Sequence, residues 1–385
     1  MLIENKRIAI VGGGPGGLTL ARLLQIKGAD VKVYERDLNR DVRVQGATLD
    51  LHYESGLEAL RRAGLMGEFK ANYRPGADRI RIVDGKAVVF FDEHNGEIVD
   101  DFEDQYFRPE IDRGPLRNIL LDSLEPGTVI WDSQFLSMSA EGEGWKLDFK
   151  NGTSAAADLV IGADGANSKI RPFITPAKPF YSGVTVIEGT VYDAKENTPD
   201  IFELLNDGKI FALANNKTLV VSSKGDGSLA FYAGWKTNEN WIRESGLDFS
   251  DKSQLLSWFK QEYSDWDSLW HELFLNDSTQ FMPRQINSMP LDQRWETKPN
   301  LTLLGDAAHL MPPYAGEGVN MAMQDAFELA EKLTEGDCQN LHTAIAKYEV
   351  QMRCRASEVT SISLESTKSL HSPVALQWML EMFAL

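Results

Sequence analysis

The chain has 385 residues, of which 43% are hydrophobic and 25% charged, as in an ordinary globular protein of two or three domains. Its 57 acidic residues outnumber 39 basic ones, and the net charge of −18 repels the phosphates of nucleic acids. No apolar run reaches the roughly 18 residues that cross a bilayer. We therefore expect neither a nucleic-acid nor a membrane partner.

The N-terminal sequence and the cysteines indicate in which cellular compartment the protein is expected. A strand begins near residue 7, which leaves no room for a signal peptide. The two cysteines, Cys338 and Cys354, have no metal-ligand spacing and suit a reducing compartment. The six histidines show no ligand spacing either. These features predict a cytoplasmic protein without a metal site.

The first elements form a β-α-β unit. An apolar run at 7–11 is typical of a buried parallel strand, leucines at helical spacing follow, and residues 31–34 predict a second strand. Gly12, Gly14 and Gly17 lie between the first strand and the helix with the G-x-G-x-x-G spacing. This spacing lets the backbone and a helix N-terminus approach a pyrophosphate.

Several residues of this unit have predicted contacts with the cofactor. Pro15 suits the first helical turn, and Glu35 closes the second strand, where it can accept hydrogen bonds from an adenosine ribose. The unit therefore predicts a dinucleotide. The residues that we expect at this dinucleotide are Gly12, Gly14, Pro15, Gly16, Gly17 and Glu35.

Helical patterns follow at 54–63 and 115–124, and the second one has arginines at its start. Arg113 and Arg117 stand four residues apart, where cations oppose the helix dipole. An anion such as a phosphate of a cofactor would compensate them. The alternative is a surface ion pair with Glu110 or Asp112, and the sequence leaves both open.

Strands are predicted at 129–131, 146–149 and 159–163, the last one apolar throughout. From about 180 to 285 the pattern changes to alternating strands, at 184–191, 209–214, 219–222 and 229–235. Five of the nine tryptophans lie between residues 235 and 270. This stretch predicts an inserted sheet domain, whose tryptophans either pack in a core or line a pocket for a flat ligand.

A second motif follows the apolar strand at 301–304. Asp306, in Gly305-Asp306, ends this strand, where a carboxylate can bind the ribityl hydroxyls of a flavin or only cap a turn. A rigid turn at Pro312-Pro313 and a helix start near 319–320 follow, and the helix N-terminus would stabilise negative charge on reduced flavin. His309 is expected to be structural. A nucleotide held at both ends in this way indicates FAD.

The motifs together resemble those of the FAD-dependent aromatic-ring hydroxylases, which have the p-hydroxybenzoate hydroxylase fold. The three fingerprints of that family match the glycine loop with Glu35, the segment 162–171 that contains Asp164-Gly165, and Gly305-Asp306. Within the family the chain is similar to the tetracycline-inactivating monooxygenases. This likeness rests on residues 33–37, 46–52, 128–132, 264–267 and 305–320.

The resemblance implies further site residues. Arg43 would help to bind NADPH, with Arg36 beside it. Glu188, Lys209, Val220 and Ala230 stand where the tetracycline enzymes have Gln, Arg, Phe and His around the drug, and Tyr314 replaces a Phe beside the flavin. The remaining residues implied at FAD are Asp50, Arg113, Arg117, Asp164, Gly305, Asp306, Pro312, Pro313, Gly316, Gly318, Val319 and Asn320.

The resemblance also implies the fold class. We expect an α/β protein with a Rossmann-like, doubly wound FAD-binding domain of the glutathione-reductase type, an inserted, mostly antiparallel substrate sheet, and C-terminal helices. The predicted FAD-binding domain comprises 1–72, 104–178 and 285–338, and the substrate domain comprises 73–103 and 179–284. Residues 339–385 form the helical segment. We expect a monomer.

The resulting hypothesis is an NAD(P)H-consuming monooxygenase. A flavin C4a-hydroperoxide would hydroxylate an aromatic or polycyclic substrate, with a tetracycline as the substrate that the resemblance implies and O2 as co-substrate. No side chain is assigned as catalytic acid or base. The alternatives are a flavin reductase or halogenase of the same fold, and a binding protein related to the dissociation inhibitors. The absence of the halogenase Trp-x-Trp-x-Ile-Pro pattern counts against that branch.

Overall fold

Two large sheets organise the computed structural model, which describes residues 1–42, 46, 48–98, 100–276, 279–336 and 338–383. The strands are β1 (Arg7–Val11), β2 (Asp30–Tyr34), β3 (Leu49–Asp50), β4 (Ile80–Asp84), β5 (Val89–Asp92), β6 (Glu110–Ile111), β7 (Val129–Ile130), β8 (Phe135–Glu141), β9 (Gly144–Phe149), β10 (Ser154–Ala157), β11 (Leu159–Gly162), β12 (Phe180–Val191), β13 (Lys209–Ala214), β14 (Lys217–Ser223), β15 (Leu229–Lys236), β16 (Gln280–Ser288) and β17 (Leu301–Leu303). The helices are α1 (Pro15–Ile26), α2 (Gly56–Ala63), α3 (Met66–Lys70), α4 (Arg113–Asp122), α5 (Ala194–Asn197), α6 (Pro199–Leu205), α7 (Trp241–Glu244), α8 (Lys252–Glu262), α9 (Asp306–His309), α10 (Gly318–Thr334), α11 (Leu341–Leu370) and α12 (Ala375–Phe383).

The first sheet is parallel and has the strand order β17-β11-β1-β2-β7 within the described residues. Its central strands are apolar because both of their faces are covered, and every residue of β11 is buried. One hydrophobic core joins these strands to α1, α10 and the antiparallel sheet β10-β9-β8. The parallel sheet and its helices confirm the predicted FAD-binding fold.

The second sheet has the order β16-β12-β15-β14-β13-β4-β5 and is antiparallel except between β13 and β4. One of its faces packs against the aromatic side chains of α8 and the turn after it. Trp270 is completely buried there, and Trp235 and Trp266 are 3% and 6% exposed. Core packing is therefore the role of these tryptophans, and the inserted antiparallel sheet is confirmed.

The C-terminal helices reach both sheets. The 30-residue helix α11 packs against α10, and α12 lies on the second face of the seven-stranded sheet, against Ile82 and Leu213. Among the described residues, none of the helices combines the length and the apolar character that a membrane span requires.

Some element boundaries differ from the predictions. Helix α4 begins at Arg113, two residues before the predicted start, because Pro115 is tolerated inside a first helical turn. Strand β12 begins at Phe180 instead of residue 184, and it pairs with β16 on both sides of an irregularity. Strand β16 runs across the predicted domain boundary between residues 284 and 285.

Candidate active site

The two glycine-containing turns meet at one edge of the parallel sheet. Strands β1 and β17 run in the same direction with only β11 between them, so their carboxyl ends lie side by side. Gly16 and Gly305 also share a neighbour. A Cβ built on Gly16 would lie 2.8 Å from the Ala322 carbonyl oxygen of α10, and one on Gly305 would lie 2.9 Å from the Ala322 Cβ. Both turns therefore pack against the same point of α10, and the surface between Gly14 and Asp306 is called the groove below.

The glycines of the first loop serve two purposes. Gly12 has a φ of +114°, and a Cβ there would collide with the Ala163 carbonyl oxygen. Gly17 packs equally closely on the backbone of Gly12. By contrast, no atom of the described residues lies within 4 Å of a Cβ built on Gly14. Gly12 and Gly17 are thus required by the protein's own packing, whereas Gly14, at the N-terminus of α1, borders space that the described part of the chain does not fill.

Glu35 holds this loop in place. Its buried carboxylate accepts hydrogen bonds from the backbone N–H groups of Gly13, at 2.7 Å, and Asp37, at 3.0 Å. The carboxylate that was predicted to bind the ribose thus fixes the loop in this structure, and its contact with a ribose stays a prediction. Arg36 next to it is exposed.

The central motif braces the turn at Asp306. The Asp164 carboxylate accepts from the Ser168 hydroxyl at 2.5 Å and from the Lys169 N–H at 2.6 Å, so it caps its own turn. The guanidinium of Arg171 donates to the backbone carbonyls of Asp306 and Ala307, at 2.8 and 2.7 Å. Sequence reasoning did not single out Arg171, although an arginine after this motif was a visible signal.

Asp306 itself is the first residue of α9, and its side chain is half-buried. Burial raises the pKa of the Asp306 carboxyl, although the positive charges of His309, Arg113 and Arg171 oppose the rise. The Asp306 carboxyl therefore lies in the field of both Arg113 and Arg171. Arginine is one of the side chains that bind phosphates in proteins.

His309 lies beneath this turn, away from the groove. It is 2% exposed, and its Nε2 lies 2.6 Å from Asp325 Oδ2. Asp325 also accepts from the Gly305 N–H at 2.8 Å and from Arg355 at 2.6 Å. This arrangement supports a structural role for His309.

The start of α10 is fixed to β3 by a buried amide. Asn320 is completely buried, and its Nδ2 donates to the carbonyls of Asp50, at 2.9 Å, and Gly316, at 3.2 Å. Its Oδ1 accepts from the His52 N–H at 2.9 Å and from the Ser55 hydroxyl at 3.3 Å. The Asn320 side chain thus orders the turn through contacts within the protein.

An ionic contact reinforces this link. His52 Nε2 lies 3.0 Å from Asp50 Oδ2, and His52 Nδ1 lies 3.5 Å from Glu317 Oε2. Burial lowers the pKa of His52, but the two carboxylates outweigh it and raise the pKa to about 9. His52 is therefore a cation at neutral pH. Sequence reasoning missed it because Glu317 is far away along the chain.

The two arginines of α4 differ in their surroundings. Arg117 is buried and donates to the Arg40 carbonyl, at 2.8 Å, and to Asp37, at 3.1 Å. Arg113 is exposed at the helix start and acts electrostatically on Asp306. Arg43, which was predicted to help bind NADPH, lies outside the described residues.

The second face of the seven-stranded sheet lies close to the edge of the parallel sheet at which the two glycine-containing turns meet. This edge is called the cofactor edge below. A Cβ built on Gly46 would lie 3.5 Å from both Arg113 Nε and Glu188 Oε1. Glu188, Tyr232, Val220 and Phe211 are successive register partners across β12, β15, β14 and β13, so their side chains form one row on this face. All four are partly exposed.

The remaining predicted substrate residues lie in the next row. Ala230 is completely buried. Lys209 forms an ion pair with the buried Glu110. Burial lowers the pKa of Lys209, but the carboxylates of Glu110 and Asp50 outweigh burial, so the pKa lies above its ordinary value. Glu188 also has a partner, because Arg284 forms an ion pair with it and the Tyr232 hydroxyl donates to it at 3.4 Å.

These residues fit FAD. Gly14 and Gly318, at the starts of α1 and α10, both face space that no described residue fills within 4 Å of a built Cβ. The starts of two helices therefore border the groove at positions that no described side chain fills, with Arg113 and the half-buried Asp306 beside them. Helix N-termini bind phosphates and stabilise negative charge, which are the two requirements of a pyrophosphate and of a reduced flavin.

Comparisons with known proteins agree with this geometry. The FAD binding domain family matches residues 5–361. The 3-amino-4-hydroxybenzoate 2-monooxygenase PtmB3 of Streptomyces platensis is 30% identical over 375 residues, which cover 96% of this chain and 90% of that protein.

Two solved structures share the fold. HpxO of Klebsiella pneumoniae, in complex with FAD and uric acid, has a TM-score of 0.77 at 21% identity and covers 98% of this chain and 92% of its own. The tetracycline destructase Tet(55) has a TM-score of 0.74 at 20% identity, with 96% and 91% covered. With the family match over nearly the whole length, these findings show that the chain belongs to the FAD-dependent aromatic monooxygenase family.

Proposed function

We propose that the protein uses NADPH and O2 to hydroxylate an aromatic or polycyclic substrate at a bound FAD. The observation that carries the proposal is the position of Tyr314. It lies in the turn that begins at Pro313 beside the groove, and it packs against the cluster of Val184, Val186 and Ile286 on the seven-stranded sheet. The proposed flavin turn and the proposed substrate face are therefore in direct contact.

The chain's own residues bind and orient the cofactor in this proposal. The N-terminus of α1, with Gly14, holds the pyrophosphate, Glu35 accepts from the ribose, and Arg113 and Asp306 bind further along the molecule. The N-terminus of α10 stabilises negative charge on the flavin ring. When FAD is bound, it supplies hydride acceptance and oxygen activation. No side chain is assigned as an acid or a base.

The proposed substrate lies between the flavin turn and the row from Glu188 to Phe211. Tyr232, Val220 and Phe211 offer it a flat, mainly apolar surface. Glu188 supplies acceptor oxygens at one end of the row, and its charge is compensated by Arg284. These features support a ring system with a hydrogen-bond donor at one end. A tetracycline belongs to this class.

The first experiment tests the cofactor and the electron donor. The purified protein should be yellow or become yellow with added FAD, and NADPH should bleach it while oxygen is consumed. NADH in the same assay measures the nicotinamide preference. A colourless protein that also refuses added FAD would refute the proposal and favour the alternative of a non-enzymatic binding protein.

The second experiment tests oxygen transfer. Phenols and tetracyclines are screened for stimulation of NADPH oxidation, and the products are analysed by mass spectrometry. A gain of one oxygen atom supports the monooxygenase, whereas a gain of two hydrogen atoms indicates a reductase. If tetracycline neither stimulates oxidation nor gains oxygen, it is excluded as a substrate while other rings remain to be assigned.

A further inference from the structure

Three polar side chains from distant parts of the chain meet behind the proposed flavin turn. His371 Nε2, directly after α11, lies 3.2 Å from the Thr218 hydroxyl of β14 and 3.4 Å from the Tyr314 hydroxyl. The absence of a side chain at Gly234 makes room for them, because a Cβ there would lie within 3.1 Å of all three groups. His371 and Thr218 are buried, at 0% and 1% exposed.

The tautomer of His371 follows from its other nitrogen. Nδ1 lies 2.8 Å from the Thr367 carbonyl, and a carbonyl oxygen only accepts, so Nδ1 carries the proton. Burial lowers the pKa of His371 to about 4, helped by the charge of Lys236 and opposed by the hydrogen bond to Thr367. The ring is therefore neutral, and Nε2 is an acceptor.

Both hydroxyl oxygens lie within hydrogen-bond distance of this acceptor, and the Tyr314 hydroxyl is its donor. Burial raises the pKa of the Tyr314 hydroxyl, although a hydrogen bond from Thr218 to the Tyr314 oxygen favours the phenolate and opposes the rise. Tyr314 remains protonated and donates to His371. The chain of hydrogen bonds thus has one direction, from Thr218 through Tyr314 and His371 to the backbone of α11.

Tyr314 connects this chain of hydrogen bonds to two hydrophobic clusters. It packs against the cluster that contains Leu213 and Leu370 and against the cluster of Val184, Val186 and Ile286. Tyr314 lies in the 3-10 turn Pro313–Ala315, so its hydroxyl anchor also fixes the backbone of that turn. Loss of this hydrogen bond would therefore loosen the turn at Pro313–Ala315, while the backbone of the turn and the Tyr314 ring would remain.

We propose that His371 is a positioning residue that acts through the Tyr314 hydroxyl to hold the turn at Pro313–Ala315 against the seven-stranded sheet. In this way the C-terminal segment sets the width of the gap between flavin and substrate and keeps water out of it. The inference rests on the proposed function for its consequence in catalysis. The contact itself does not depend on that function.

The test uses the variants Tyr314→Phe, His371→Ala, His371→Gln and the Phe/Ala double variant of the full-length protein with FAD bound. Glutamine keeps an acceptor near Nε2. His342→Gln, at the exposed start of α11, is the matched control. The measurements are urea unfolding with and without FAD, the visible spectrum of bound FAD, and the peroxide released with NADPH and O2 alone.

We expect Tyr314→Phe and His371→Ala each to raise peroxide release about threefold or more, because water reaches the loosened site. Both should shift the FAD spectrum in the same direction, and the double variant should be no worse than the stronger single one, since the two residues act as a unit. His371→Gln should recover most of the wild-type behaviour, and His342→Gln should match the wild type.

Peroxide release and FAD spectrum at wild-type values in Tyr314→Phe would overturn the proposal, as would strictly additive effects in unfolding and peroxide release. If His371→Ala does not fold, Tyr314→Phe, which lacks a single oxygen atom, decides the question. If the wild type consumes no oxygen, the proposed function fails. In that case the unfolding free energies of the two single variants and the double variant, together with the FAD spectrum, decide the question. Non-additive effects support the positioning role of His371, and additive effects overturn it.

Discussion

The cofactor edge of the parallel sheet and the second face of the seven-stranded sheet are built in different ways. The edge consists largely of backbone, in which Gly12 and Gly17 have no room for a side chain and no described residue fills the space beside Gly14 and Gly318 at two helix starts. The face consists of side chains that stand in register across four strands, from Glu188 to Phe211. The edge is therefore constrained by close packing of the backbone, whereas the face can change its residues without changing the fold.

This difference explains why the motifs indicate FAD more strongly than they indicate a substrate. A backbone cradle requires glycine at fixed spacing, and such spacing is visible in a sequence. A row of side chains only requires residues that suit a strand. Substitutions at the closely packed glycines of the edge should therefore destabilise the protein strongly, whereas substitutions on the face should not. The predictions run from the largest expected effect to the smallest.

The strongest test contrasts two glycines of one loop. Gly12→Ala should destabilise the protein by more than about 4 kcal/mol, because the new Cβ collides with the Ala163 carbonyl and the backbone is in a left-handed conformation. Gly14→Ala should fold normally, since its φ of −81° suits any residue. It should nevertheless weaken FAD binding by about 2 kcal/mol, roughly 30-fold.

Urea unfolding and FAD titration of both variants measure these effects. Gly64→Ala is the control for backbone strain alone, because Gly64 has a φ of +72° and no described atom near its built Cβ. Equal FAD affinity of Gly14→Ala and the wild type would break the comparison, since Gly14 would then not face the cofactor.

The buried amide of Asn320 gives the next effect. Asn320→Ala should lower the free energy of unfolding by about 3 kcal/mol, because it leaves the Asp50 and Gly316 carbonyls and the His52 N–H without their buried partner. Asn340→Ala, which removes the exposed cap of α11, should cost only about 1 kcal/mol. Thermal or urea unfolding compares the two, and equal losses would mean that Asn320 does not order the turn.

The ionised His52 should make stability depend on pH. Its pKa in the folded protein is about 9, above the ordinary 6.5, so its contribution is complete below pH 6.5 and is lost as the pH rises towards 9. We expect wild type and His52→Gln to differ by on the order of 2 kcal/mol at pH 6 and to converge near pH 9. Urea unfolding across this range measures the difference. A constant difference at all pH values would show that His52 is not charged.

The sequence predicted the cofactor edge in some detail. Buried parallel strands, the glycine loop and the turn at Asp306 are local patterns, so their spacing alone located them at 7–17 and 301–306. Once the strands are parallel, their carboxyl ends must share an edge. Short sequence segments are therefore sufficient to predict this edge.

The contacts that stabilise the edge were not predictable in the same way. Arg117 was expected at a cofactor phosphate or in a pair with Glu110 or Asp112, yet it binds Asp37, 80 residues away. The contact between His371 and Thr218 spans 153 residues. No local pattern encodes such pairs, because each side chain fits its own helix or strand equally well without its partner.

The proposed substrate face should give the smallest effect on stability and the sharpest one on specificity. Glu188→Gln should change the free energy of unfolding by less than about 1 kcal/mol, because the partner Arg284 is 51% exposed and its ion pair is screened by solvent. Val220→Phe should be tolerated as well, since Val220 is partly exposed. Ala230→His should cost about 1–3 kcal/mol, because Ala230 is completely buried.

These three changes introduce the residues that the tetracycline enzymes are expected to have at these positions. They therefore also distinguish an effect on substrate binding from an effect on stability. If the row from Glu188 to Phe211 binds the substrate, Glu188→Gln with Val220→Phe should change the KM for the best ring found in the screen by about tenfold, while FAD affinity stays at the wild-type value. The KM and the FAD titration are measured on the same preparations. A shift in FAD affinity without a shift in KM would place these side chains at the cofactor, and the division between a backbone edge and a side-chain face would have to be redrawn.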